Sequence, residues 1–178
     1  MPESSAVHMD RQRKILGQSL PAQNLRWIAA DDWHLTLRFL GDISENNLAC
    51  LIDFLAESAS ICPCIQWTGS TFSYLPSSGR PKVLAIEGDV SPALSQLVSR
   101  LQSYAIAGAK PSQYTQFRPH VSLVRIGSSE QQLPIDIAGL SATPLSIRFT
   151  EMALYRSQLS VNGSIYDELG VWPLKGGE

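Results

Sequence analysis

No run of about 18 apolar residues occurs in this sequence, so no membrane-spanning helix is expected. The opening MPESSAVHMDRQRK also lacks the apolar centre of a secretory leader, which places the chain in the cytoplasm by expectation. Positive charge is not in excess: 14 Lys and Arg face 16 Asp and Glu. That excludes a broad basic field for long nucleic acids and leaves a grip over a short length. Cysteine is scarce, with Cys50, Cys62 and Cys64 making an odd count and no histidine nearby. Neither a disulfide framework nor a zinc site is expected, and the thiols should be reduced and partly buried.

Apolar residues make up 44% of the 178, enough for one substantial core or two small lobes. Ser4 to Ser19 is charged and weakly periodic and reads as a helix, whereas Leu25 to Ala29 and Asp31 to Asp42 read as strands. From Ser44, the apolar positions Leu48, Leu51, Ile52, Leu55 and Ala59 recur at spacings of three and four, which predicts a helix ending before Pro63. Ile65 to Thr71 and Lys82 to Glu87 are strand-like and flank the turn-rich PSSGRP, a hairpin or mobile loop. The clearest helix has Ser91 as N-cap, Pro92 at its first position and Leu94, Leu97, Val98, Leu101 and Tyr104 inward, with a stop near Gly108. After a polar loop from Lys110 to Gln116, the last third reads as strand at Phe117 to Gly127, Ile135 to Ile137, Leu145 to Leu159 and Ile165 to Leu174. Helices and strands do not alternate strictly, which favours an antiparallel α+β arrangement over a doubly wound parallel sheet.

Within DDWHLTLRFLGD, Asp31 to Asp42, an extended chain projects His34, Thr36 and Arg38 to one face and Leu35, Leu37 and Phe39 to the other. Seen once, this is a half-solvated strand with a hydrogen-bonded histidine. The pattern returns, however, in PHVSLVRIG: histidine, apolar, hydroxyl, Leu, then a basic residue and a closing Gly. His34 and His120 lie 86 positions apart, close to half the chain, and each copy has similar strand and helix content before it. The pattern is that of an internal duplication in which two strands, one from each lobe, aim an imidazole and a hydroxyl into a common cleft.

The paired H-x-[TS]-x motifs resemble those of the two-histidine phosphoesterases, and RWIAADDWHLTLRFLGD, GRPKVLAIEG, FRPHVSLVRIG and ALYRSQLSVNGSIYDELGVWPL resemble, in order, segments of the branch of RNA 2′,3′-cyclic phosphodiesterases historically called 2′-5′ RNA ligases. The resemblance spans Leu25 to Leu174. It implies one two-lobed domain over residues 1–178, duplicated, with two mainly antiparallel sheets, helices outside and a cleft between the lobes. It also implies hydrolysis of RNA 2′,3′-cyclic phosphate ends to 2′-phosphate ends, with reversible 2′-5′ ligation as a minor activity. The branch begins with an apolar strand running into a Leu-Pro turn, whereas this chain opens with Met1-Pro2-Glu3, so the usual first strand is expected to be missing. Ser122 stands where Thr is usual, and Ala85 where the branch often has an aromatic residue.

Two imidazoles supply both proton transfers of such a reaction at neutral pH without a metal. His34 and His120 are the expected catalytic residues, Thr36 and Ser122 the expected phosphate-binding hydroxyls, and Arg38 a candidate substrate contact or an exposed ion pair. Arg125 has the opposite strand parity to His120 and is expected to be structural or rim-binding. Phe72, Tyr74 and Tyr155 are candidates for base stacking or for core, and His8 for plain surface. No cofactor or metal is expected. The expected partners are RNA ends or small cyclic nucleotides, with no membrane, and the chain is expected to be a monomer. Two other readings remain open: an RNA-end-binding module that does not turn over, and a metallohydrolase, for which no carboxylate sits at ligand spacing beside either histidine.

Overall fold

The structure, a computed structural model, describes residues 3–19, 25–29, 32–76, 81–105, 117–127, 137, 140, 142, 144–160 and 163–177. Along them run α1 (Glu3–Ser19), β1 (Leu25–Trp27), α2 (Glu45–Ile61), β2 (Ile65–Leu75), β3 (Val83–Gly88), α3 (Pro92–Ser103), β4 (His120–Ile126), β5 (Leu145–Phe149), β6 (Glu151–Ser160) and β7 (Gly163–Pro173). Five strands form a sheet in the order β1-β4-β3-β2-β5, and β6 and β7 form a two-stranded ribbon. The pairs β1–β4, β2–β3, β3–β4 and β6–β7 are antiparallel, as the irregular succession of helices and strands implies. The chain forms two compact units. The first holds Met1–Leu37, Gln66–Val90 and Gln116–Ile147; the second holds Arg38–Ile65, Ser91–Thr115 and Arg148–Glu178.

In the first unit one face of the sheet is apolar and closed: Phe72, Tyr74, Leu84, Ile86, Val121 and Leu123 are all buried. Two bulges decide which residues share that face. In β2 the buried positions are Ile65, Trp67 and Gly69, then Phe72 and Tyr74, because the register slips between Gly69 and Thr71. One extra residue reverses the alternation, and it sends Ser73 to the opposite, polar face. The strand expected over Ile65 to Thr71 therefore runs on to Leu75. In β4 the pairing passes from Leu84↔Val124 to Ala85↔Ser122, which skips Leu123. Arg125, paired with Val83, consequently projects to the same face as Ser122 and His120. The sequence-based parity of Arg125 is thus corrected by one bulged residue.

Helix α1 is the first described element, and the first described strand, β1, follows it. Strand β4 is hydrogen-bonded on both flanks, by β1 and β3, so among the described residues no place stands empty beside it. Strands β2 and β3 form the expected hairpin, with Lys82 N donating to Leu75 O at 2.8 Å. Residues 77–80 of its tip, the loop 110–116 and nearly all of 135–137 lie outside the described residues.

The second unit packs α2 against α3 and β7. Leu51, Leu55, Ala59, Leu94, Leu97, Val98 and Leu101 are buried, as their helical spacing predicts. Ser91 caps α3, its Oγ accepting from Leu94 N at 3.3 Å, with Pro92 in the first turn. The helix ends at Ser103, short of the expected stop near Gly108, a residue outside the described set. Tyr104 stacks on Phe54 with ring centroids 4.2 Å apart. Arg100 lies over the same Phe54 ring, donates to Ser58 Oγ at 2.8 Å and pairs with Glu57 at 2.9 Å, which ties α3 to α2. The strand expected from Leu145 to Leu159 is two strands, broken at Thr150. All three thiols are free, with Cys50 exposed, Cys62 buried and Cys64 between. Burial, and secondarily the neighbouring Cys64, pushes the Cys62 thiol up, away from the reactive thiolate.

The β2 bulge sets a close approach that tolerates no side chain at Gly88. A Cβ there would overlap the backbone oxygen of Thr68 and lie 2.7 Å from its carbonyl carbon. Gly88→Ala should destabilise the protein by about 2–3 kcal/mol, measured by urea denaturation. An unchanged midpoint would mean that the hairpin gives way without cost.

Candidate active site

His34 and His120 meet in the first unit through a single antiparallel bridge, Leu35↔Val121. Directly opposed residues of an antiparallel pair project to the same face. One residue either side of the bridge, this register sets His34 opposite Ser122 and Thr36 opposite His120. Leu35 and Val121 turn the other way, and Val121 is fully buried. The imidazoles stand on the diagonal of a four-residue patch, and diagonal neighbours in such ladders lie about 7–8 Å apart, the scale of one phosphate group held between two side chains. Both segments belong to the same compact unit.

The extended run expected over Asp31 to Asp42 contributes one bridging residue, Leu35. Between Leu25↔Ile126 and Leu35↔Val121 the first strand advances ten residues against five in β4, so the intervening chain leaves the ladder. Asp32 N donates to Ala29 O at 3.1 Å, and the buried Trp33 donates through Nε1 to Ile28 O at 3.1 Å. These bonds fold the excursion back and return His34 to the sheet. Beyond it Phe39 is 69% exposed and belongs to no core, contrary to its strand parity.

Both rings are held alike. His34 Nδ1 lies 2.6 Å from the carbonyl oxygen of Asp32, and His120 Nδ1 lies 2.7 Å from that of Arg118, in each case two residues back along the chain. A carbonyl only accepts, so each Nδ1 carries the proton and each Nε2 is the end presented to a ligand. Thr36, Ser122 and His120 are half-buried, and His34 is exposed.

Strand β3 adds a residue that the motif does not announce. Glu87 is paired in register with His120 and so shares its face. Ser73 Oγ donates to Glu87 Oε2 at 2.7 Å; Arg118 Nη2 donates to the same oxygen at 2.9 Å and stands 2.7 Å from Oε1. The alternation of β3 alone would have put Glu87 on a polar face, but only the register against β4 puts it beside His120.

Arg38 falls in the second unit, where Nη1 donates to the carbonyl oxygens of Leu101 and, at 2.9 Å, Tyr104. These are orphan carbonyls at the C-terminus of α3, where a cation is favoured. The guanidinium that strand parity offered as a substrate contact or an exposed ion pair thus caps a helix end. Phe72 and Tyr74 are core, at 6% and 7% exposure, whereas Tyr155 is half-exposed on β6 and donates to Glu168 at 3.3 Å. His8 lies on α1, its side chain outside the described set. Among the described residues no three His, Cys, Asp or Glu are grouped to hold a metal ion, and no helix is long and apolar enough to cross a membrane.

An antiparallel α+β fold with two motif histidines on one sheet face defines the class, and comparison supplies the family. The model of the LigT-like phosphoesterases matches the chain twice, over residues 1–85 and 84–166. The chain belongs to that family, and the double match agrees with the duplication legible in its motifs. It is 30% identical to the RNA 2′,3′-cyclic phosphodiesterase of Aquifex aeolicus over 79% of this chain and 77% of that protein. It is 28% identical to the Escherichia coli enzyme of the same name, over 86% and 82%. The crystal structure of E. coli LigT complexed with 3′-AMP superposes with a TM-score of 0.71 at 27% identity, covering 95% of this chain and 92% of that one.

Arg38→Ala should lower stability by about 1–2 kcal/mol, as expected for lost hydrogen bonds to a helix end, and Arg38→Lys should recover only part. Equilibrium unfolding in urea checks this, and an unchanged midpoint would remove the capping role.

Proposed function

We propose that the protein is a metal-independent RNA 2′,3′-cyclic phosphodiesterase that leaves a 2′-phosphate and a free 3′-hydroxyl. The observation that carries this reading is the pair of imidazoles around the Leu35↔Val121 bridge, each with Nδ1 anchored on a backbone carbonyl. His120, neutral, takes a proton from water through Nε2 as the water oxygen attacks phosphorus in line. The bond from phosphorus to O3′ breaks on the opposite side, and protonated His34 delivers its Nε2 proton to the leaving oxygen. One proton is taken and one given, so the pair ends with its charges exchanged and resets through solvent. Thr36 and Ser122 donate hydrogen bonds to the nonbridging oxygens, where charge builds as the ring opens. Arg125, on the same face, adds positive charge to that side of the sheet. With a 5′-hydroxyl in place of water as the nucleophile, the same two transfers in the same sense join RNA ends through a 2′-5′ linkage, and their reversal cleaves that linkage; this is the minor activity. The substrates are RNA ends or small cyclic nucleotides, and the working form is a cytoplasmic monomer.

His34→Ala and His120→Ala should each lower kcat on an oligonucleotide with a 2′,3′-cyclic end by roughly 10²- to 10⁴-fold, and the double variant should lose far less than the product of the two. The wild-type rate should trace a bell against pH, with His120→Ala flattening the acid limb and His34→Ala the alkaline limb. A chelator should leave the rate unchanged. Limbs flattened in the reverse order would exchange the two roles, and full activity in either single variant would end the two-histidine mechanism.

A further inference from the structure

We propose that the Glu87–Arg118 ion pair is a positioning device for His120, holding that ring in the tautomer that leaves Nε2 bare; the inference rests on the catalytic reading of His120. The hydrogen bonds form a short circuit within the first unit. Ser73 Oγ and the Arg118 guanidinium both donate to Glu87 Oε2, and the backbone carbonyl of Arg118 accepts from His120 Nδ1 at 2.7 Å. Glu87 lies opposite His120 across the β3–β4 pairing, and Gly88 N donates to Pro119 O at 3.2 Å between the two. The segment Arg118–Pro119–His120 is therefore fixed to β3 by a side-chain bond at its first residue, a backbone bond at its second and strand pairing at its third.

This matters because Arg118 precedes β4. Its carbonyl is not set by the ladder, and without another tie the peptide could rotate away from Nδ1. Glu87 is 20% exposed and Arg118 46%, so the pair sits at the sheet rim with its carboxylate on the inner side, where a hydrogen-bonded carboxylate holds its geometry better than a solvated one. The other histidine has no such brace: Asp32, whose carbonyl accepts from His34, is exposed and enters no ion pair among the described residues. The two copies of the motif are alike in their first contact and unlike in the second.

The test reads the ring directly and does not need turnover. In ¹⁵N-labelled protein, the ring nitrogens of both neutral histidines should report protonated Nδ1 and bare Nε2. Glu87→Gln and Arg118→Met should each shift His120 towards a mixture of tautomers while leaving His34 as it was, and should lower kcat roughly tenfold, the scale of a slightly misplaced catalytic group, with KM within about twofold. Arg118→Lys, which keeps the ion pair, should stay near wild type in both readouts. An unchanged His120 spectrum in the first two variants overturns the proposal. So does an equal disturbance of His34, which marks general loosening, or a raised KM at constant kcat, which marks a substrate contact. If the wild-type protein hydrolyses no cyclic phosphate, the functional reading falls, while the ring spectra still decide whether Glu87 and Arg118 set the tautomer.

Discussion

One antiparallel contact, Leu35 against Val121, brings the two motifs together on one face of the sheet. The motifs each supply an imidazole and a hydroxyl two residues apart, but nothing in either makes those four groups converge. The bridge does so through the period of a strand. With one apolar residue of each motif opposed and turned to the core, the flanking residues on both sides must share the other face. A slip of one residue would face His34 to the apolar core and Ser122 to nothing useful, and burial of Val121 on the far face resists that slip. The core of the first unit and the arrangement of the polar patch are thus two sides of the same register.

Much of this was legible in the sequence. The helix from Ser91 carried its own start signals, and the apolar spacing of Leu94, Leu97, Val98 and Leu101 gave its buried face. The two histidines and two hydroxyls could be chosen by repetition alone. What alternation could not reveal were the bulges. An extra residue beside Gly69 carries β2 past the point where its pattern breaks, and the skipped Leu123 brings Arg125 round to the site face. A bulge depends on the partner strand as much as on its own sequence, so counting along one strand gives the wrong parity beyond it.

Arg38 shows the same limit in another form. Strand parity grouped it with His34 and Thr36, yet its guanidinium serves the carbonyls at the end of α3, more than sixty residues away in sequence. Those carbonyls require a donor once the helix stops, and a long side chain from another segment satisfies that need. Glu87 is the complementary case. It reads as an ordinary polar strand residue, and only the β3–β4 register makes it a neighbour of His120.

The duplication in the sequence does not extend to equal support in the fold. His120 opens a seven-residue strand paired on both flanks, while His34 follows an excursion from the ladder and is tied back through one bridge and the bonds of Trp33 and Asp32. Local opening is governed by how many such bonds and buried contacts must break, so the second copy is the firmer of the two. A near-symmetric motif therefore reports which residues share one face of the sheet but is silent on how they differ. That difference lies in the surroundings: a braced imidazole on an interior strand, and its counterpart on a segment joined to the sheet at a single residue.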